Sequence, residues 1–195
     1  YNSLITPSNL PKDYYLDNFH FLLDFVSDSY RDLLSVEEKR FCRGFKNLHI
    51  DASRLYVRLA NRKGPYFRRD KIEYLNISDL PETIDVLLRS GLARGVIPNY
   101  KDAVKLCSKQ ELMTLPELRD WPRSSKKADL VTRLAGLKTV NPTKRLRIAV
   151  IELLGLDELK VFQLLFFGNF HQDMKEFVMH EIVAPFESYE LSPKA

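Results

Sequence analysis

Helix-start signals that alternate with helix-stop signals constrain this chain to a succession of short helices. The start signal is the capping box, in which a Ser, Thr or Asp side chain accepts a hydrogen bond from the backbone N–H three residues on, and a Glu at that position reaches back. Such boxes occur at residues 35–38, 79–82 and 114–117. Typical helix ends follow at Gly64-Pro65, Gly91 and Gly136. The pattern predicts a mainly α fold.

The first hundred residues carry the pattern of a winged-helix-like domain. Apolar residues at helical spacing predict a first helix over residues 14–30, the box at 35–38 opens a second, and a third begins after Asp51 and runs to Lys63. Alternating polar and apolar residues predict a strand over 71–74. A fourth helix and a second hydrophobic edge over 92–97 complete the layout, which resembles a winged helix.

The rest of the chain predicts a two-helix unit followed by repeat helices. A short helix ends at Trp121-Pro122, and another covers residues 126–135. After Asn141-Pro142, apolar residues from 146 to 154 follow helical spacing, and a new stripe begins at Leu159, as in the first turns of a helical repeat array. We divide the chain into an N-terminal arm (1–13), a winged-helix-like domain (14–100), a two-helix module (101–137) and the start of a repeat region (138–195).

Composition excludes several classes of protein. With 195 residues, 45% hydrophobic and 29% charged, the chain is neither disordered nor fibrous in composition. Its best apolar stretch, residues 161–167, is seven long and contains Gln163, far short of the roughly 20 residues of a membrane-spanning helix, so we expect no membrane span. Because the chain begins at Tyr1 without Met or a secretory signal, we expect a trimmed piece of a longer protein.

The residues that bind metals are too scattered to form a sequence motif. Cys42 and Cys107 lack zinc-finger spacing, and we expect both to be reduced core thiols. The chain has four histidines, none in the helical i, i+4 pair of a zinc site: His20, His49, His171 and His180. We expect no metal in this chain.

Positive charge is concentrated in two blocks. Residues 54–71 contain seven Lys or Arg and one Asp, and residues 123–147 contain eight and one, although the net charge of the whole chain is only +4. The remainder is therefore acidic. Segregation of this kind favours a polyanionic partner, with a solvated charged face as the alternative.

Arg54, Arg58 and Arg62 recur at every fourth position of the predicted third helix. Like charges in a row repel, and the helix itself offers no opposing carboxylate, so we expect an outside anion such as phosphate. The alternative is that acids of a neighbouring helix, such as Glu37 or Glu38, neutralise the row. The loop 68–71 lies where a wing would approach a duplex.

Lys126 and Lys127 follow Ser125 in the predicted first turn of a helix. Cations are unfavourable there because the helix dipole is already positive at its N-terminus. Free amides, a hydroxyl and two ammonium groups together are typical of a phosphate site. A merely tolerated, exposed pair is the alternative.

Catalytic motifs are not recognisable. A restriction-type nuclease needs an Asp and a Glu-x-Lys at a sheet edge, because the two carboxylates hold Mg²⁺. The Glu-x-Lys triplets at 37–39 and 158–160 lie instead on predicted helices. Walker, nucleophile-elbow and His/Cys/Asp patterns are also missing. We expect this chain to be non-catalytic.

Three stretches carry a resemblance to a known family. They are Tyr14-Tyr15-Leu16-Asp17-Asn18-Phe19, residues 56–68 with the pattern Arg-Leu-x-x-Arg-Lys-Gly-x-x-Phe-Arg, and residues 166–178. They resemble the opening helices, signature segment and first repeat helices of the Fanconi-associated nuclease family. Residues 111–134 are similar to a SAP module at seven positions: Leu118, Lys126, Lys127, Ala128, Leu130, Val131 and Leu134.

The resemblance implies a fold and a function. The fold is a winged-helix-like domain, a SAP-type module and the start of a TPR-like repeat region, with the family's VRR-type nuclease domain beyond this chain. Family members cut DNA near 5′ flaps in interstrand crosslink repair, and Mg²⁺ or Mn²⁺ is expected in that nuclease domain. The implied partners are branched or flap DNA and the nuclease domain of the same parent, without a membrane or small-molecule substrate. The implied location is the cytoplasm or nucleoid of a bacterium, or a eukaryotic nucleus.

We therefore expect structure-selective DNA binding through phosphates rather than base edges. The predicted phosphate contacts are Arg54, Arg58, Arg62, Lys63, Arg68, Arg69, Lys71, Arg123, Ser125, Lys126 and Lys127. One alternative is a non-catalytic protein-interaction scaffold with solvated basic faces. Another is an enzyme whose site matches no known motif.

Overall fold

The computed structural model describes residues 13–137 and 141–168. The chain divides into two compact units, one formed by the described residues of Tyr1–Lys46 and Asp157–Ala195, the other by those of Asn47–Leu156. The described residues form nine α-helices and one three-stranded antiparallel sheet, which confirms the mainly α prediction. None of these helices has both the length and the apolar character needed to span a membrane.

The elements follow one another without long loops. The helices are α1 (Tyr14–Ser29), α2 (Val36–Lys46), α3 (Ile50–Ala60), α4 (Leu80–Ser90), α5 (Tyr100–Leu106), α6 (Lys109–Met113), α7 (Lys127–Gly136), α8 (Pro142–Arg145) and α9 (Leu156–Phe167). The strands are β1 (Tyr66–Arg68), β2 (Ala93–Val96) and β3 (Val150–Leu153), and two 3₁₀ turns cover Arg69–Lys71 and Pro116–Leu118.

The unit that contains α1 and α2 is held by aromatic side chains. Phe19 of α1 and Phe45 of α2 are fully buried, with ring centroids 4.7 Å apart. Phe162 of α9 meets Phe41 at 6.0 Å. The predicted capping box opens α2, since the Ser35 N–H donates to Glu38 Oε2 over 2.6 Å and the Glu38 N–H donates to Ser35 Oγ over 3.3 Å. Local signals predicted these helices correctly.

The sheet of the other unit is built around a strand that the sequence pattern misidentified. β3 lies between β1 and β2 and is antiparallel to both, with Ile151 opposite Phe67 and Gly95. The predicted helix over residues 146–154 is therefore wrong. Val150, Ile151 and Leu153 are all buried, and a strand buried on both faces has a nearly continuous apolar run that also fits helical spacing.

Two further boundaries differ from prediction. The predicted strand over 71–74 is wrong, because the strand is at Tyr66–Arg68, where the partner β3 lies, and a 3₁₀ turn follows it. α3 ends at Ala60 rather than Lys63, since the Asn61 N–H closes the last turn on the Val57 carbonyl. Strand position here depends on a partner that is distant in sequence.

Short helices α5 to α7 surround a small core of their own. Leu112, Leu118, Leu130 and Leu134 are fully buried in it. The box predicted at 114–117 is wrong, because the 3₁₀ turn there has Leu115 as its N-cap without a side-chain cap hydrogen bond, and the Thr114 hydroxyl donates instead to the Glu111 carbonyl over 2.6 Å. A capping box that was not predicted, Ser108 with Glu111, opens α6. Residues 1–12, 138–140 and 169–195, which include nearly all of the predicted arm and much of the repeat region, lie outside the described residues. The four-part domain division stays a prediction.

Candidate nucleic-acid interface

The three arginines predicted to form a row have different surroundings. Arg54 Nη1 lies 2.7 Å from Asp51 Oδ1 on the same helix, and each side chain is 18% exposed. The expectation that α3 offers no carboxylate to this row is therefore wrong. Since α3 ends before Arg62, that arginine lies in the following turn. The row therefore divides into Arg54, which is paired on its own helix, and the other two arginines.

Arg58 and Arg62 lie against aromatic rings. The guanidinium carbon of Arg58 is 5.0 Å from the centroid of Tyr74, and that of Arg62 is 5.5 Å from the centroid of Phe67. Arg62 Nη1 also donates to the Tyr74 hydroxyl over 3.4 Å. Contact with a ring face is attractive for a guanidinium and restricts its orientation while leaving in-plane N–H groups for an anion. Tyr74 thus positions both arginines.

Arg68 is a buried structural cation. Its side chain is 7% exposed, donates from Nε and Nη2 to both carboxylate oxygens of Asp70, at 2.9 and 2.6 Å, and donates from Nη1 to Glu111 Oε2 at 2.6 Å. Hydrogen bonding to Arg68 is the main cause that lowers the pKa of Asp70 and brings that of Glu111 down to about 2. These two carboxylates occupy the N–H groups with which Arg68 was predicted to contact phosphate.

The other cations of the first block are more accessible. Arg69 is about one-third exposed, and its Nη2 lies 2.8 Å from Asp85 Oδ1. Lys63 and Lys71 are exposed. Within residues 13–137 and 141–168, neither ammonium group has an ion-pair partner within 4 Å. Among the described residues, Lys63 and Lys71 are therefore cations of this block that are both exposed and without an ion pair.

Four predicted contacts of the second block lie at or just before the start of α7. Lys126 is the exposed N-cap residue, and its N–H donates to Asp129 Oδ2 over 3.3 Å, so a first-turn carboxylate offsets part of the unfavourable charge. Lys127 is half-buried and donates from Nζ to the Lys105 carbonyl over 3.0 Å. Arg123 is exposed. Ser125 is half-buried, and its backbone N–H donates a hydrogen bond to the Pro122 carbonyl.

Metal-binding side chains are not clustered in the described part of the chain. No group of three His, Cys, Asp or Glu residues there has the arrangement of a metal site. Both Glu-x-Lys triplets lie on helices, in α2 and α9. Cys42 and Cys107 are free and buried, and burial raises the pKa of the Cys107 thiol, which lowers its nucleophilic character at neutral pH.

Sequence reasoning missed the residues that position the cations. Tyr74 and Phe67 support the arginines, and Glu111 holds Arg68. Trp121, interpreted as a helix end, lines a cleft with Lys109. The available signals were a Ser108-x-x-Glu111 capping pattern and aromatic residues close to each basic block.

Comparison with known proteins places the chain in a family. The family model described as "FAN1, HTH domain" matches residues 13–94. The Fanconi-associated nuclease 1 homolog of Arabidopsis thaliana is 31% identical over 186 residues, which are 85% of this chain and 20% of that protein. The chain belongs to the Fanconi-associated nuclease family. The resemblance identified from its motifs is thereby confirmed.

Other Fanconi-associated nucleases match over nearly the whole chain. The homolog of Pseudomonas aeruginosa is 32% identical over 92% of this chain and 33% of that protein. A crystal structure of paFAN1 bound to 2nt 5′ flap DNA with a gap has a TM-score of 0.76 and 29% identity, covering 91% of this chain and 33% of that one. The chain thus spans a fifth to a third of the length of these Fanconi-associated nucleases.

Proposed function

We propose that this chain is the DNA-gripping part of a structure-selective DNA-repair nuclease and binds branched or 5′-flap duplex through its phosphates. The observation that carries the proposal is the likeness to paFAN1, which was crystallised on 5′ flap DNA. Flap cleavage in interstrand crosslink repair, with Mg²⁺ or Mn²⁺, is proposed for the nuclease domain of the longer parent.

The exposed cations bind the DNA phosphates. In the first block these are Arg62, Lys63 and Lys71, with Arg58 beside them. Each phosphate neutralised releases condensed counterions, which gives a sequence-independent, salt-sensitive affinity. Arg54 and Arg68 instead hold the local fold through their carboxylate pairs, and Arg69 keeps a partial pair with Asp85.

A second phosphate-binding surface lies at the start of α7. Arg123, Ser125, Lys126 and Lys127 are within five consecutive positions there, and the backbone of the first turn adds positive potential. We assign α5 to α7 to a SAP-type module, which is inserted in sequence between β2 and β3. The antiparallel sheet corresponds to the wing of a winged-helix-like domain, and α9 to the start of the TPR-like region.

Binding of a fluorescent 5′-flap duplex across a salt series tests the proposal. The variants are Arg58→Ala/Arg62→Ala and Lys126→Ala/Lys127→Ala. Arg89→Ala/Lys160→Ala is the control, because it also removes two cations, both exposed and each paired locally, with Glu82 and Asp157. Each test pair should weaken binding and lower the log–log salt slope by roughly one to two, whereas the control should leave the slope unchanged.

Absence of flap binding by the parent chain at low salt would overturn the proposal. If the control variant lowers the log–log salt slope as much as the test pairs do, only net charge matters, and the assignment of the two phosphate-binding surfaces is overturned. A scaffold that binds a protein partner would show partner affinity almost independent of salt.

A further inference from the structure

A basic cleft lies beside α6 and the 3₁₀ turn that follows it. Its volume is about 400 Å³, within the roughly 300–1,000 Å³ of small-molecule sites. It is lined by Lys109, Gln110, Met113, Thr114, Arg119, Trp121 and Arg123. The lining therefore combines three cations and one indole, and it contains no carboxylate.

Packing and hydrogen bonds give the cleft a defined shape. Trp121 and Met113 pack partly against the buried leucines of the α5 to α7 core, and the backbone N–H of Trp121 donates to the Leu118 carbonyl over 3.0 Å. Lys109 Nζ donates to the Arg123 carbonyl over 2.7 Å, which ties α6 to the segment before α7. The indole is thus supported on one side by the core and reaches the cleft on another.

Two guanidinium groups of the cleft are available for an anion. Arg119 and Arg123 are exposed. In the described part of the chain neither side chain has a hydrogen-bond or ion-pair partner. A guanidinium group can bind phosphate in a bidentate geometry, through two parallel hydrogen bonds. An indole ring can stack against any nucleobase.

We propose that this cleft binds an unpaired nucleotide of a single DNA strand, with its base against Trp121 and its phosphate between Arg119 and Arg123. This inference rests on the proposed function and extends it from duplex phosphates to the unpaired strand of a branched substrate. A base is recognised here by its ring face, so the cleft accepts different bases.

The single tryptophan of the chain makes the test direct. The intact 195-residue chain is titrated with an eight-nucleotide thymidine strand while tryptophan fluorescence is recorded, and flap-duplex binding is measured in parallel. Stacking of a base on Trp121 should quench the fluorescence. Thymidine at the same concentration, which has the base but no phosphate, should quench little, and equal quenching by the nucleoside would overturn the role of Arg119 and Arg123 in holding a phosphate.

Variants separate a binding role from a structural role. Arg119→Ala/Arg123→Ala should reduce strand affinity about tenfold, and so should Trp121→Ala, measured with a labelled strand, while Trp121→Phe should keep most of the affinity because a ring remains. The matched control is Arg89→Ala/Lys160→Ala, and urea unfolding checks that each variant folds. If the chain binds the flap duplex but the single strand causes no quenching, this inference is overturned and the proposed function stands. Failure of both strand and flap binding would overturn the proposed function as well.

Discussion

Arg68 donates from Nη1 to Glu111 Oε2 over 2.6 Å and thereby joins β1 to α6, 43 residues further along the chain. The same Glu111 oxygen accepts from the Ser108 N–H over 2.7 Å, so it also caps α6. One carboxylate thus couples the sheet that supports the first basic block to the helix that leads into the second. The Arg68 side chain of this pair is only 7% exposed.

Replacing Glu111 should destabilise the fold. Glu111→Gln removes the charge that compensates a buried guanidinium, and the expected loss is roughly 1.5–3 kcal/mol in the free energy of unfolding, the range for hydrogen bonds to charged groups. Asp70 remains as a partner and limits the loss. Urea unfolding measures it. Glu73→Gln, which makes the same chemical change at an exposed site, should be nearly neutral. Equal effects of the two variants would contradict a structural role for the pair.

Acid should destabilise the parent more than Glu111→Gln. The pKa of Glu111 is lowered from 4.5 to about 2, chiefly by its hydrogen bond to Arg68. A lowered pKa means that the folded state binds the proton more weakly than the unfolded state, so the stabilisation is complete above the unfolded pKa and is lost as pH falls towards about 2. Urea midpoints at about pH 6 and about pH 3 measure this loss. Parallel pH dependence in parent and variant would show that other carboxylates cause it.

Tyr74 should affect DNA affinity without contributing charge. Tyr74→Ala removes the ring under Arg58 and the hydroxyl that accepts from Arg62. A loss of about 0.5–1 kcal/mol for an exposed cation–π contact corresponds to about two- to fivefold weaker flap binding. The salt slope should stay at the parent value because no cation is lost. Tyr74→Phe keeps the ring and should lose less. A changed slope in Tyr74→Ala would contradict a purely positioning role.

The core of α5 to α7 should depend on Leu112. Its side chain is fully buried among leucines, and Leu112→Ala should cost about 2–5 kcal/mol because a cavity forms as well as apolar contact being lost. Thermal unfolding of the variant measures this cost. Met113→Ala, at the neighbouring and only partly buried position, should cost clearly less. Similar costs at both positions would show that this small core is loosely packed.

Whether the sequence predicted a contact correctly depends mainly on how far apart the two residues lie in the sequence. The box at Ser35 and Glu38 formed as predicted because both hydrogen bonds span three residues. Arg54 was misjudged although its partner Asp51 is three residues away, since the helix was taken to begin after Asp51. The aromatic supports were missed because Tyr74 lies 12 residues beyond Arg62, across a turn whose path local patterns do not specify.

Local sequence patterns predict α1 to α4, α7, the cap at Ser35, the family signature and the two basic blocks, because each depends on residues within a few turns of one another. The positions of the strands, the helices α5, α6 and α8, and the set of available cations depend on the folded chain. β3 becomes a strand because its N–H and carbonyl groups find partners on both β1 and β2, and Tyr56 donates to Leu154 across 98 residues. Arg68 has the same charge as Lys71 in the sequence, yet burial beside two carboxylates occupies the first and leaves the second to solvent. Burial of Arg68 and its pairing with Glu111 depend on residues that are distant in sequence, and these contacts form only in the folded chain.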